Sequence, residues 1–356
     1  MYPMRQKLLI INKAQFGYHT DTYKYCEYLK EICDITYFCF DEGLARITLK
    51  DVECIYISEE ESFFLNGCIF YETLLRTFKV RRFDVTMVLD LPFAFAIPLI
   101  VSSDKFVLDI RTAAVSKKKL KRIVLNISTK FNTIFFKHIT VISDGVAEFF
   151  RLNTFKILPL GSDVISDINK SFSDLRLLYV GTLDNRHIDQ TIDGIHAFIQ
   201  KQQIPPMISY DIIGFGSDAE RELIKLKILQ YSLSDYITFH GRVSHDQLKP
   251  FFDKSNIGVS YIPMTKYYFH QPPTKTFEYI LSGMACVATG TAENVKIITN
   301  QNGVICQDNE RSFTEALEFM HANLKLFDSN HIRTHATEHT WKRIIQSILW
   351  PYLSEK

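Results

Sequence analysis

YFHQPPTKTFEYILSGMACVATG, residues 268–290, joins a helix start, an amphipathic helix and a short strand, and the fold is read outward from that joint. Pro272 and Pro273 precede a run with Phe277, Ile280 and Leu281 on one side and Lys275 and Glu278 toward another. Proline is favoured at a helix start, where its missing N–H costs nothing. The amides of Thr274, Lys275 and Thr276 are then the expected free donors of a helix N-terminus, a ready site for a phosphate. Glu278 lies one turn further in, where a carboxylate would accept two adjacent hydroxyls of a sugar. Gly283 follows at a helix C-terminal position, and CVAT reads as a strand. A phosphate site and a diol acceptor one turn apart suit a nucleotide-diphosphate sugar. The plain alternative is a proline-led amphipathic helix with a solvated Glu278.

Outward from this joint the pattern alternates strand and helix. Toward the N-terminus, KLLIIN (7–12), ITYFCF (35–40), CIYIS (54–58), VTMVL (85–89), KFVLDI (105–110) and HITVIS (138–143) read as strands. Helices are expected between them, near 61–79, 92–101 and 116–136 among others. A second series runs through LRLLYVG (175–181), ISYDIIG (208–214), YITFHG (236–241), IGVSYIP (257–263) and ACVAT (285–289). VKIITN, GVICQ and the helix SFTEALEFMHANL follow. This alternation predicts an α/β fold of two Rossmann-like domains with parallel sheets, ligands binding between them outside the carboxyl ends of the strands. The expected first domain is 1–163 and the second 175–336, with a serine- and aspartate-rich linker over 164–174.

The composition fits this. The chain has 356 residues, 46% of them apolar, enough for two globular domains. Net charge is +1, so no global field points to nucleic acid. Seven cysteines, with no CxxC pair, suggest reduced thiols in a cytoplasmic protein. KLLIIN is too short for a secretory signal, and Asp90, Pro92 and Pro98 interrupt the apolar stretch 85–101, so no transmembrane helix is expected.

In the second half, strand after strand ends in glycine or a small polar residue: YVGTL (179–183), IIGFGSD (212–218) and FHGRVSH (239–245). Glycine there lets backbone approach a ligand. With FGYHTDTY (16–23), VISDGVAEFF (141–150), LPLGSD (158–163), the 268–290 stretch and HTWKRIIQSIL (339–349), these segments occur in the order of a known family. The chain resembles the retaining glycosyltransferases of family 4, including those of bacterial polysaccharide biosynthesis. That family has the GT-B fold: two facing Rossmann-like domains with a C-terminal helix, here about 337–356, crossing back to the first.

The resemblance implies a nucleotide-sugar donor as co-substrate, no cofactor, no metal, and a saccharide or lipid-linked saccharide acceptor held by the first domain. Of the two glutamates of the family's donor helix, the second matches Glu278, to hold the ribose hydroxyls. The first matches His270, a departure that bears on the choice of donor sugar. Thr182 follows Gly181 where many relatives have arginine. Arg186, in a GxLxxR arrangement, is the expected cation on the leaving diphosphate, since its planar fork binds phosphate oxygens bidentately. Lys275 is a second such cation. A surface arginine beside Asp184 and Asp189, and a solvated helix lysine, are the plainer readings of these two. Gly214 belongs to the same set of loops, backbone groups of Arg242 and Val243 would read the nucleobase, and Gly17 would meet the diphosphate from the first domain. Arg111, after Asp109, stands near where relatives often carry a histidine; an Asp–Arg pair fixing a loop is the alternative.

Two further features are weighed. SKKKLKRIVLNISTKFNTIFFKHI, with apolar residues at helical period, reads either as a core-facing helix or as a contact over 117–136 with the anionic inner face of the plasma membrane. His331, His335 and His339 recur every four residues but read as solvated or capping histidines. Rival functions are a catalytically idle GT-B-like nucleotide-sugar-binding or scaffold subunit and a nucleotide-sugar epimerase of the same architecture.

Overall fold

The computed structural model describes residues 5–114, 118–204, 206–265, 268–269 and 272–355. The chain divides into two compact units, Met1–Leu160 with Trp341–Lys356, and Gly161–Thr340. Each is built on one wholly parallel sheet.

In the first unit the strands are β1 Gln6–Ile11, β2 Cys33–Asp41, β3 Val52–Ser58, β4 Val85–Leu89, β5 Lys105–Ile110, β6 His138–Val141 and β7 Lys156–Ile157. Their order across the sheet is β3-β2-β1-β4-β5-β6-β7. A parallel sheet has helices on both faces, so its central strands read as unbroken apolar runs. Leu8 to Ile11 are at most 1% exposed, and every residue of β4 is buried. The order reverses between β1 and β4, and the carboxyl ends there open a crevice.

The C-terminal segment completes this unit. Trp341 is buried with its ring edge-on to Tyr25, centroids 6.1 Å apart. Lys105 Nζ donates to the carbonyls of Tyr352 and Glu355, tying the last turn to β5. The last helical stretch thus starts at Trp341, while the 3₁₀ turn Thr337–His339 before it belongs to the second unit.

The second unit's strands are β8 Leu175–Thr182, β9 Ile208–Phe215, β10 Ile237–Gly241, β11 Ile257–Ser260, β12 Ala285–Thr289 and β13 Gly303–Cys306, in the order β10-β9-β8-β11-β12-β13. This is the same winding, with its reversal between β8 and β11. The two-domain, Rossmann-like α/β architecture expected from the alternation is therefore the one observed.

Details differ where local period misleads. VKIITN is not a strand; Val295 to Ile297 end the helix Ala292–Ile297, whose cap residue Thr291 accepts from the Asn294 amide. The expected helix near 92–101 shrinks to a 3₁₀ turn, Ala94–Ala96, and one turn, Ile97–Ile100. Residues 164–174 are not a free connector but are fastened to the second unit. The Ser166 amide donates to Ser282 Oγ at 3.2 Å, Lys170 Nζ to the Phe252 carbonyl at 2.6 Å, and Asn256 Nδ2 to the carbonyls of Ser171 and Asp174.

Candidate functional site

The second unit has a cavity of about 350 Å³ at the carboxyl end of β8. Its walls come from Val180, Gly181, Thr182 and Arg186 after that strand, from His245 and Leu248, from Ile262 and Tyr268, and from Pro272 to Lys275 with Glu278. The expected helix is present as Thr274–Leu281, with Pro273 as its extended cap residue. Its apolar side is anchored: Phe277, Ile280 and Leu281 are buried, and the Tyr279 hydroxyl accepts from the Val180 amide at 2.9 Å. Gly283 ends it at φ +71°, and a Cβ there would meet Ser329 Oγ at 2.2 Å, so only glycine fits.

Two cations converge on the cavity. Lys275 Nζ lies 4.0 Å from the centroid of the Tyr179 ring, is buried, and has no hydrogen-bond partner among the described residues. The Arg186 guanidinium lies over Tyr268, 4.1 Å from the ring centroid, and its Nη1 is likewise buried without a hydrogen-bond partner among the described residues. Arg186 sits between two residues in left-handed backbone, Asn185 at φ 57° and His187 at φ 53°, an arrangement that costs free energy and fixes where the side chain points. At Gly181, with φ +154°, the chain passes close to the ammonium: a Cβ there would lie 3.1 Å from Lys275 Nζ.

These charges perturb one another. Burial, with Arg186 nearby, pushes the Lys275 ammonium down to about 7. Burial pushes the Glu278 carboxyl up to about 7, with Lys275 pulling it down and Asp163 adding to the rise. A buried cationic nitrogen without a hydrogen bond is expensive, so Lys275 Nζ and Arg186 Nη1 on one cavity describe a place shaped for an anion. Beside them Glu278 is a carboxyl that can accept hydroxyls when ionised.

Other expected site residues are placed differently. The Thr276 amide donates to the Pro273 carbonyl at 3.1 Å, and its hydroxyl is buried against Ser260 Oγ at 2.7 Å and Asn294 Oδ1 at 2.9 Å. Thr276 therefore pins the helix and is not a free donor; Thr274 and Lys275 line the cavity. Gly214 lies behind the site, where a Cβ would meet the Gly181 carbonyl at 2.6 Å, so its smallness lets β9 close on the Gly181 loop. Arg242 places its guanidinium 5.4 Å from the ring centroid of Phe215, and neither it nor Val243 lines the cavity. His270 lies outside the described residues. Tyr179, Tyr268, His245 and Leu248 were not singled out from the sequence; no spacing links them to the helix they face.

Gly17 and Arg111 belong to the first unit. Gly17 has φ +92°, and a Cβ there would meet Ile47 Cδ1 at 2.5 Å, so glycine is needed for packing as well as for conformation. Arg111 is 2.6 Å from Asp21 and donates to the Leu158 carbonyl at 2.6 Å, with Asp109 at 3.8 Å. That favours the loop-fixing alternative, although its Nη2 remains buried and unpartnered. Arg111 and Asp109 border a separate cavity of about 380 Å³, together with His19, Asp90 and Thr129. The three C-terminal histidines do not converge. His331 and His335 pack ring on ring, centroids 4.0 Å apart, while His339 turns to Phe277 at 4.7 Å.

Residues 174–323 match the family model described as glycosyl transferases group 1. The match spans most of the second unit, and the chain is an enzyme of the glycosyl-transferring class (EC 2.4). No curated protein matches the chain significantly. Among solved structures, sucrose-phosphate synthase of Thermosynechococcus elongatus superposes with a TM-score of 0.75 at 16% identity, covering 98% of both chains. A glycosyltransferase from Rickettsia africae gives 0.77 at 11% identity, again covering 98% of both. The HepE protein of Anabaena, solved with UDP and glucose, gives 0.72 at 12% identity over 99% of this chain and all (100%) of that one. At these identities the likeness is one of fold, the GT-B fold.

Proposed function

We propose that the chain transfers a sugar from a nucleotide-diphosphate donor to a glycan or lipid-linked acceptor in cell-surface polysaccharide assembly, with retention of anomeric configuration and without a metal. The observation that carries the reading is the pair of unpartnered buried cations, Lys275 Nζ and Arg186 Nη1, on one cavity with Glu278. The anion that completes such a pair is a pyrophosphate. Glu278, one turn along the helix, then accepts the ribose hydroxyls. The neighbour bound to UDP and glucose supports this choice of ligand class.

In the reaction the bond between the anomeric carbon and the phosphate oxygen breaks, and the electron pair leaves with the diphosphate. The acceptor oxygen bonds to the same face of the carbon, and its proton passes to the departing phosphate. The protein's task is to stabilise charge growing on that phosphate, and on this reading it falls to Arg186, Lys275 and the helix-terminal amides of Thr274 and Lys275.

The test is a panel of UDP- and GDP-sugars with a mixed acceptor pool. One donor is expected to raise the melting temperature, because it binds only the folded state. The same donor is consumed, with and without chelator, and NMR of the product shows the donor's anomeric configuration. If no nucleotide sugar stabilises the protein, or if Arg186→Ala and Glu278→Ala both turn over at the native rate, the assignment fails.

A further inference from the structure

The helix Lys119–Asn132 is inside out. Leu120, Val124, Ile127 and Phe131 fall within one narrow stripe at helical period, and Ile123 borders it. A soluble helix turns such a stripe inward. Here it faces out: Leu120 is 74%, Val124 57% and Ile127 63% exposed, and Ile134 just beyond the helix 71%. The buried side is polar. Thr129 donates its hydroxyl to Asp90, and Asn132 donates from Nδ2 to Asp90 Oδ1 and the Leu91 carbonyl, both at 2.9 Å. The core-facing alternative is therefore overturned: buried hydrogen bonds to Asp90, at the carboxyl end of β4, fix which side is inward.

The flanks of the stripe are cationic. Lys119 and Lys130 lie along one edge and Lys121 along the other, all exposed. From 118 to 137 the sequence also carries Lys118, Arg122 and Lys137, and no acidic residue. Long lysine side chains at the borders of an apolar stripe can lift their ammonium groups to the headgroups while the stripe enters the acyl boundary. Phe131 continues the surface through Phe95, centroids 5.0 Å apart, to Phe93, which is 51% exposed.

We propose that this face is a membrane-docking surface, with the helix lying in the interfacial plane of a bilayer rich in anionic lipid. Charge complementarity selects the occupant: an apolar stripe alone would suit a protein partner, whereas one bordered by lysines with no acid among them suits a negative surface. The inner side of the same helix, through Leu125, Ser128 and Thr129, walls the first unit's cavity beside Asp90. The helix thus puts a membrane contact and a cavity on opposite sides of one element. The inference stands independently of the donor-site reading. No helix among the described residues is long and apolar enough to cross a membrane, so docking is at the surface.

The full chain is floated with phosphatidylcholine vesicles with and without phosphatidylglycerol. Binding is expected only to the anionic vesicles and is lost in molar salt. Lys119→Glu, Lys121→Glu and Lys130→Glu are expected to weaken partitioning at least fivefold each, and Ile127→Asp more than tenfold, with melting temperatures unchanged because these side chains are exposed. Leu226→Asp, at a 60%-exposed apolar position on the helix Asp218–Gln230, serves as the control and should bind like the native protein. Equal binding to both vesicle types, or full binding by Ile127→Asp, overturns the proposal. So does a dimer in light scattering that Ile127→Asp dissociates while neither form binds vesicles, since the occupant is then a second copy.

Discussion

Replacing Lys275 by methionine should make the empty protein more stable and the site useless. Burial and the neighbouring Arg186 push this ammonium from 10.5 down to about 7. Taken at face value the difference sets an upper bound of ~5 kcal/mol on the penalty of holding the charge. The side chain keeps an opening to the cavity, so solvent screening reduces this, and about 2 kcal/mol is a reasonable expectation. Methionine has a similar reach, keeps a favourable sulfur contact with the Tyr179 ring, and carries no charge to desolvate. The gain should appear as a rise of about 5 °C in melting temperature near neutral pH. Its pH dependence has a definite sign. Between about 7 and 10.5 the unfolded chain binds more protons at this lysine than the folded chain, so native stability rises with pH there. The advantage of Lys275→Met is therefore full below about pH 7 and fades as pH climbs through that window. Titration calorimetry with the donor nucleotide should show affinity reduced by at least tenfold, because the diphosphate loses a charge-assisted partner. A variant less stable than the native protein at pH 7, or one that binds nucleotide equally well, would show that Lys275 is not a destabilised cation reserved for an anion.

The remaining tests concern the rest of the cavity and its support. Arg186→Ala should lower kcat by about a hundredfold or more with little change in melting temperature, since its loss is felt as charge builds on the leaving group; steady-state kinetics with the identified donor would show it, and an effect confined to KM would contradict it. Glu278→Gln should weaken nucleoside-diphosphate binding and change the pH profile of stability. The folded carboxyl is raised from 4.5 to about 7, so the folded state binds more protons across that window and native stability falls as pH rises through it. Melting curves from pH 4.5 to 8 should show the variant losing less than the native protein. Thr276→Val should cost about 2 kcal/mol by leaving buried Ser260 and Asn294 groups unpaired, yet leave donor affinity of the folded protein intact; urea melts and calorimetry separate the two effects.

The parts legible in the sequence are those whose causes are local. Paired prolines, an amphipathic period and a glycine fix the helix Thr274–Leu281, and each works within a few residues of itself. Gly283 shows the boundary: its left-handed conformation is a local matter, but Ser329, which a Cβ would strike, comes from a helix far along the chain. The same limit hid the aromatic rings over which the two cations lie. Tyr179 lies under Lys275 because β8 ends where that helix begins, and Tyr268 meets Arg186 across the mouth of the cavity. Those meetings depend on strand order, which no spacing encodes. Thr276 escapes a sequence reading for a related reason. A threonine between two cavity-facing residues looks available, and only the approach of Ser260 and Asn294 shows that it is spent on holding the helix.

The helix Lys119–Asn132 carries that reasoning furthest. Its period was readable, but a period gives the direction of an apolar stripe relative to the helix, not relative to the core. The choice is settled by a residue outside the helix. Asp90 is largely buried, and burial raises its carboxyl above the usual range while the Thr129 and Asn132 hydrogen bonds pull it down. Turning the helix over would bury the aliphatic stripe, but it would take the Thr129 and Asn132 hydrogen bonds from that carboxyl, at a cost of a few kcal/mol. A few aliphatic side chains left in water each forgo about 1.5–3 kcal/mol. In water alone the two terms compete, and the observed orientation leaves an apolar face whose burial is still available. A bilayer surface removes the competition: Asp90 keeps its partners and the stripe leaves water as well. The orientation that is a compromise for an isolated chain is thus the one that satisfies both sides of the helix at an anionic membrane.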